Sequence, residues 1–124
     1  MTTSKEGVLI SKILAKHGAR PDLRLWRNET AVAWVGKRKG VTACGDVVLF
    51  KGARRILAGL CVGSPDLIGC GLGGRFIALE VKTEGVVTTS DQTNFLRVVN
   101  ELDGIAGIVR SVEDVTALLG EPPK

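Results

Sequence analysis

Apolar positions along this chain switch between a helical and an alternating rhythm, and the switches mark its elements. Val8, Ile10, Ile13, Leu14 and His17 recur at roughly 3.6-residue spacing and predict a helix from Thr3 to about Gly18, where glycine is a natural stop. Arg20-Pro21-Asp22 breaks the chain, and Leu23–Arg27 then alternates as a half-buried strand does. Ala31–Val35 reads as a second strand, followed by a basic, glycine-containing loop over 36–45. Asp46–Phe50 and Arg55–Val62 read as further strands separated by a turn at Lys51-Gly52-Ala53. Next come strands Pro65–Cys70 and Arg75–Lys82 around the turn Gly71-Leu-Gly-Gly74. A helix over about Ser90–Leu102, a short strand Ala106–Val109 and a helix Val112–Leu119 complete the pattern. Helices at both ends of a central group of strands predict an α/β domain with a mixed sheet flanked by helices.

The hairpin at 65–82 carries the charge anomaly of the chain. Asp66, Glu80 and Lys82 interrupt strands that are otherwise core-like. Folding about the glycine turn pairs residues whose numbers sum to about 145 or 146. In the second register Asp66 lies beside Glu80, and directly opposed residues share a face. Lys82 shares the face of Glu80 by the period of two. Two adjacent carboxylates repel unless one takes a proton or both share a cation, and a hard ion such as Mg²⁺ suits one or two carboxylates with water and phosphate. Pro-Asp followed by Glu-x-Lys is thus what a metal-dependent phosphodiester-cleaving site needs, with Lys82 placed to steady or activate the attacking water. Read alone, Glu80–Lys82 is a surface pair and Asp66 a turn cap. The overlapping Gly69-Cys-Gly71-Leu-Gly-Gly74 fits GxGxxG, but a strand rather than a helix follows it, so a dinucleotide site is not expected.

Glu6 and Gln92 are candidates to complete such a site. Each also fits a capping box, Thr3-Ser-Lys-Glu6 and Thr89-Ser-Asp-Gln92, and both roles coexist if the helix N-termini face the site. Ser111-Val-Glu-Asp114 is a third cap-like start. His17 is the sole histidine, which leaves a His-based triad unsupported. Trp26 and Trp34 are read as core or interface residues, with base stacking as the alternative.

Composition adds limits rather than a function. A chain of 124 residues with 44% hydrophobic and 24% charged residues suits one domain. Its apolar runs are strand-sized and its start lacks a signal-peptide layout, so no membrane span is expected. Three cysteines, Cys44, Cys61 and Cys70, have no zinc-type spacing. They read as buried thiols in a reducing cytoplasm. The net charge of +4 is compatible with a polyanion. Lys37-Arg38-Lys39 and Lys51 with Arg54-Arg55 are candidate phosphate contacts, with solvated loops or strand ends as the alternative.

Taken together, Gly63-Ser-Pro-Asp-Leu-Ile-Gly69, Gly74-Arg-Phe-Ile-Ala-Leu-Glu-Val-Lys-Thr83, Thr89-x-x-Gln92-x-x-Phe95 and Ala106-Gly-Ile-Val-Arg-Ser-Val-Glu-Asp114 resemble the VRR-NUC (virus-type replication-repair nuclease) family of the PD-(D/E)xK nuclease superfamily. The resemblance is dense over 63–119 and looser at Glu6 and Leu25-Trp-Arg-Asn28. It implies a single nuclease domain over 1–124 with a restriction-endonuclease-like core, and a Mg²⁺- or Mn²⁺-dependent DNA endonuclease. It further implies that Asp66, Glu80 and the Val81 backbone carbonyl hold metal, that Lys82 serves the water, and that Gln92 and Glu6 complete the site. Small members of the family occur in phages and bacteria, tend to be homodimers, and some act on branched DNA. Where many members carry Gly-Arg before the Thr-x-x-Gln start, this chain has Gly85-Val86. The stretch 29–62 is longer than that pattern and is expected to serve substrate binding or dimer formation. A non-catalytic DNA-binding subunit and an RNA-directed nuclease are the competing readings.

Overall fold

The computed structural model describes residues 4–124, which divide into two compact units, residues up to 28 together with 62–124, and residues 29–61. In the first unit, a five-stranded mixed sheet has the order β1 (Ala19–Arg20), β2 (Leu23–Arg27), β5 (Leu67–Gly71), β6 (Phe76–Val81), β7 (Ile105–Val109). All neighbours are antiparallel except β6 and β7, which are parallel and joined through α2 (Ser90–Glu101). A parallel pair needs such a crossover. The α/β class expected from the pattern is therefore present, with a mixed sheet and three helices, the others being α1 (Lys5–His17) and α3 (Val112–Leu119).

Strand β6 shows why the sheet has two covered faces. Five of its six residues, Ile77 to Val81, are buried, as the near-continuous apolar run requires of a central strand. Ile77, Leu79 and Val81 join Leu23, Leu25, Leu67 and Val109 on one face, under Ile10 and Ile13 of α1 and Val115 of α3. Ala78 and Ala106 face the other way, against Leu96 with Phe95 and Val99 of α2. Ile77 is fully buried, so Ile77→Ala should cost about 2–5 kcal/mol. Urea unfolding checks this as a lowered midpoint at unchanged slope.

Several boundaries differ from the sequence reading. Helix α1 starts one residue later than a Thr3 cap implies: Ser4 is the N-cap, its hydroxyl accepting from the Gly7 amide, and Thr3 lies outside the described residues. The Arg20-Pro21-Asp22 break is a tight hairpin between β1 and β2. No cysteine is buried: Cys44, Cys61 and Cys70 are all exposed. Trp26 is 52% exposed. Leu23 and Leu25 take the inward positions of β2, so period two turns Trp26 to the face that α2 leaves open, because α2 packs chiefly on β6 and β7.

The second unit is a long antiparallel hairpin, β3 (Ala31–Val41) and β4 (Val48–Ala58). Lys37-Arg38-Lys39, expected in a loop, sits inside β3. The two expected strands flanking 51–53 are one. The pairing shifts between Val35/Lys37 and again between Arg38/Gly40, so the ladder absorbs residues as bulges. Gly52, at φ 66°, supplies the left-handed backbone that local sequence suggests as a turn. Trp34 is 59% exposed here rather than core. No helix among the described residues is long and apolar enough to cross a membrane.

Candidate active site

Both strands of the hairpin β5–β6 are fixed in register by their apolar faces: Leu67 pairs with Leu79, and Ile68 with Ala78. Those pairs sum to 146, the register that carries Asp66 to Glu80. Asp66 lies just before β5, and its Oδ2 accepts a hydrogen bond from the Val81 amide at 2.9 Å. Its backbone is held too. The Asp66 carbonyl accepts from the Asn28 amide at 2.8 Å, and the Asn28 side chain donates to Ser64 Oγ and to the Pro65 carbonyl, each at 2.8 Å. Gly63, at φ 84°, lies against Asp91 of α2 so closely that no Cβ fits, which brings this segment beneath the helix start.

Glu80 is 2% exposed, the penultimate residue of the interior strand β6, on the face covered by α2. Its Oε1 lies 3.5 Å from Lys82 Nζ and accepts from Gln92 Nε2 at 3.2 Å. Its Oε2 is buried with no hydrogen-bond partner. Burial first, and then the neighbouring Asp66 carboxyl, push Glu80 up to about 8. Lys82 pulls the other way, but one ammonium at 3.5 Å does not outweigh burial and Asp66 together. Metal-free, burial and Asp66 therefore favour the protonated form of Glu80.

Gln92 reaches this carboxylate while also capping its own helix. Thr89 Oγ1 accepts from the Gln92 amide at 3.2 Å, and Gln92 Oε1 accepts from the Thr89 amide at 2.9 Å. One end of the side-chain amide closes the capping box and the other, Nε2, faces Glu80. The two roles weighed for it coexist. Glu6, by contrast, is not spent on a capping box, because the Ser4 cap makes Gly7 the third helical residue. Half-buried in the first turn of α1, Glu6 is raised in pKa by burial, then by Asp66, with Lys82 lowering it. It thus feels both residues of the hairpin. Asp66, Glu80, Lys82 and Gln92 are brought together by contacts and Glu6 joins them electrostatically. The basic residues Lys37, Arg38, Lys39, Arg54 and Arg55 belong to the separate unit 29–61.

Two residues in the stretches that carry the family resemblance, Asn28 and Arg110, have structural roles in this region that the sequence pattern does not show. Asn28 is 7% exposed at the end of β2, and nothing local distinguishes it from a turn asparagine; its role depends on partners 36 and 37 residues away. Arg110 donates through Nη1 to the Thr83 carbonyl at 2.8 Å and through Nη2 to the Val86 carbonyl at 2.9 Å, tying down the loop that follows Lys82.

Among the described residues no three His, Cys, Asp or Glu side chains gather closely enough to hold a metal by themselves. A buried carboxyl with an unsatisfied oxygen beside a second carboxyl nevertheless fits a cation that brings its own water and phosphate ligands. No family model matches the chain, and no curated protein matches it.

Proposed function

We propose that this protein is a divalent-metal-dependent nuclease that hydrolyses phosphodiester bonds in DNA, with a restriction-endonuclease-like core and the hairpin β5–β6 as its active site. The observation that carries the reading is the buried Glu80 carboxyl, left with an unpartnered oxygen beside Asp66 and 3.5 Å from Lys82. A binding-only protein gains nothing from burying a repelling carboxyl pair; an apolar residue at position 80 would continue the strand at lower cost. The order of motifs shared with the VRR-NUC family supports the same chemistry.

Asp66, Glu80 and the Val81 carbonyl are the groups that would hold Mg²⁺ or Mn²⁺. The ion, when bound, supplies Lewis-acid activation of the phosphate and acidifies water. The protein's own contribution is positional. Val81 N–H fixes one Asp66 oxygen and Gln92 Nε2 fixes one Glu80 oxygen, leaving the other oxygen of each carboxylate for the ion. Lys82 Nζ, on the same face, orients the attacking water and offsets negative charge at the phosphate. Its amide, donating to the Val109 carbonyl at 3.0 Å, anchors it beyond the end of β6. Glu6 adds negative charge from the side of α1 and is a candidate to accept the proton from water.

Plasmid and branched oligonucleotides incubated with Mg²⁺ or Mn²⁺ test this directly. Wild type should cut, and Asp66→Ala and Lys82→Ala should each lose about 100-fold or more in rate. Equal inertness of all three with both metals and every DNA form would refute the reading, and cleavage of RNA alone would move the substrate to RNA.

A further inference from the structure

We propose that the hairpin arm 31–58 is a binding element for single-stranded nucleic acid, which makes DNA with an unpaired stretch the substrate of the nuclease and so rests on that reading.

The charge of the chain is concentrated in this unit. Residues 29–61 contain six basic residues, Lys37, Arg38, Lys39, Lys51, Arg54 and Arg55, against Glu29 and Asp46, a balance of +4. That equals the net charge of the whole chain, and the remaining residues carry eleven of each sign. None of the six basic side chains forms an ion pair among the described residues. Lys37 and Lys51 are directly opposed across the ladder, where like charges destabilise a sheet. An isolated two-stranded sheet is marginal to begin with. Unneutralised cations facing each other across one are a cost that a polyanion removes.

The aromatic positions decide which polyanion. Directly opposed residues share a face, which sets Trp34 with Arg55 and Arg38 with Phe50. Trp34 is 59% and Phe50 40% exposed, and period two puts Trp34 and Arg38 on one side of β3. Phe50 also sits in a recess of about 390 Å³ whose other lining residues are Lys37, Arg38, Lys39 and Lys51. Rings are thus interleaved with cations. An arm that enters a bilayer separates them, apolar on one face and basic on the other. A second copy of the arm would bring the same positive charge to the interface. Nucleic acid offers phosphates to the cations and base faces to the rings. Because bases in a closed duplex show no free face, the match is to an unpaired strand.

Fluorescence anisotropy with a labelled single strand and a duplex of equal length, in EDTA so that nothing is cut, tests the arm on the full chain. The single strand should bind more tightly. Trp34→Ala should weaken it about 5- to 100-fold. Lys37→Ala/Lys51→Ala should lower the slope of log affinity against log salt by about 1.4. Thermal melting confirms that these surface variants fold. Preference for duplex, or unaltered binding by the variants, overturns the proposal. Binding to phosphatidylserine vesicles with none to DNA does so as well, as does a dimer that Trp34→Ala dissociates in a protein that binds no DNA. If the variants lose single-strand binding while wild type cuts nothing, the arm assignment stands and the nuclease reading falls. If wild type cuts and the variants cut identically, the arm assignment falls alone.

Discussion

Glu80→Gln will abolish cleavage and at the same time stabilise the metal-free protein, increasingly so as pH rises. Folding lifts Glu80 from an ordinary carboxyl value to about 8, through burial and then through Asp66. Between the unfolded value and about 8 the folded state holds a proton that the unfolded state has released. Stability from this group is therefore fully present below about pH 4.5 and is lost as pH rises through about 8. Glutamine cannot ionise, yet its amide oxygen keeps an acceptor for Gln92 Nε2 and its amide hydrogens can face Asp66. Melting curves in EDTA should coincide near about pH 5 and separate by about pH 8.5, with the variant melting higher. Added Mg²⁺ should raise the wild-type melting temperature at the upper pH and move the variant little, because a ligand stabilises in proportion to its occupancy. The rate of DNA cleavage should fall about 100-fold or more. A gap in melting temperature that stays constant across pH would show that burial and Asp66 do not hold a proton on Glu80. The same substitution separates fold from function: a strand that prefers a neutral residue at position 80 carries an acid there at a cost to its own stability.

The second large effect lies away from the site. Arg20 is 4% exposed, and its guanidinium is divided among four partners. Nε and Nη2 grip Asp22 at 2.9 and 2.7 Å, Nη1 donates to the Gly120 carbonyl at 2.8 Å and lies 3.1 Å from His17 Nδ1, and Nη2 also reaches the Glu121 carbonyl at 3.1 Å. His17, fully buried, touches Thr116 Oγ1 at 3.0 Å through its other nitrogen. One arginine thereby fastens the end of α1, the β1–β2 hairpin and the chain after α3. Arg20→Ala strands these acceptors together and should cost about 3–5 kcal/mol in urea unfolding; lysine cannot replace the fork. Burial first, and then Arg20 and Lys16, hold the His17 imidazole below its usual range. A depressed histidine contributes stability present above its unfolded value and lost as pH falls through about 6.5, the opposite slope to Glu80. Removing Arg20 takes away part of that depression, so the acid-side loss should set in near the same pH in both proteins but be smaller in the variant. A loss under about 1 kcal/mol would mean that water satisfies the acceptors and that the network is not structural.

The hairpin β5–β6 and the arm β3–β4 show where sequence reading succeeds and where it stops. In β5–β6 the apolar residues are dense and the turn is short, so the register follows from folding the chain about its glycines, and Asp66, Glu80 and Lys82 follow from the register. In β3–β4 basic and glycine residues interrupt the pattern. A bulge at Gly52 then has the same local signature as a turn. Cysteine burial, and the core half of the core-or-interface reading of the tryptophans, failed for a related reason. Period two says that Trp26 opposes Leu25 but not that α2 leaves that face open. The anchoring roles of Arg20 and Asn28 were not legible because their partners lie far along the chain.

The sequence by itself determined the α/β class, all three helices and most strands of the first unit, and the hairpin that sets two carboxylates and a lysine on one face, because alternation and turn chemistry are local. Only the tertiary structure decided that Glu80 is buried, that Gln92 both caps its helix and reaches Glu80, and that Asn28 anchors the strand carrying Asp66. It also decided that the basic residues of 29–61 lie along one bulged two-stranded ladder. Burial and long-range hydrogen bonds depend on which elements pack together, and that is a property of the whole fold rather than of any window of residues.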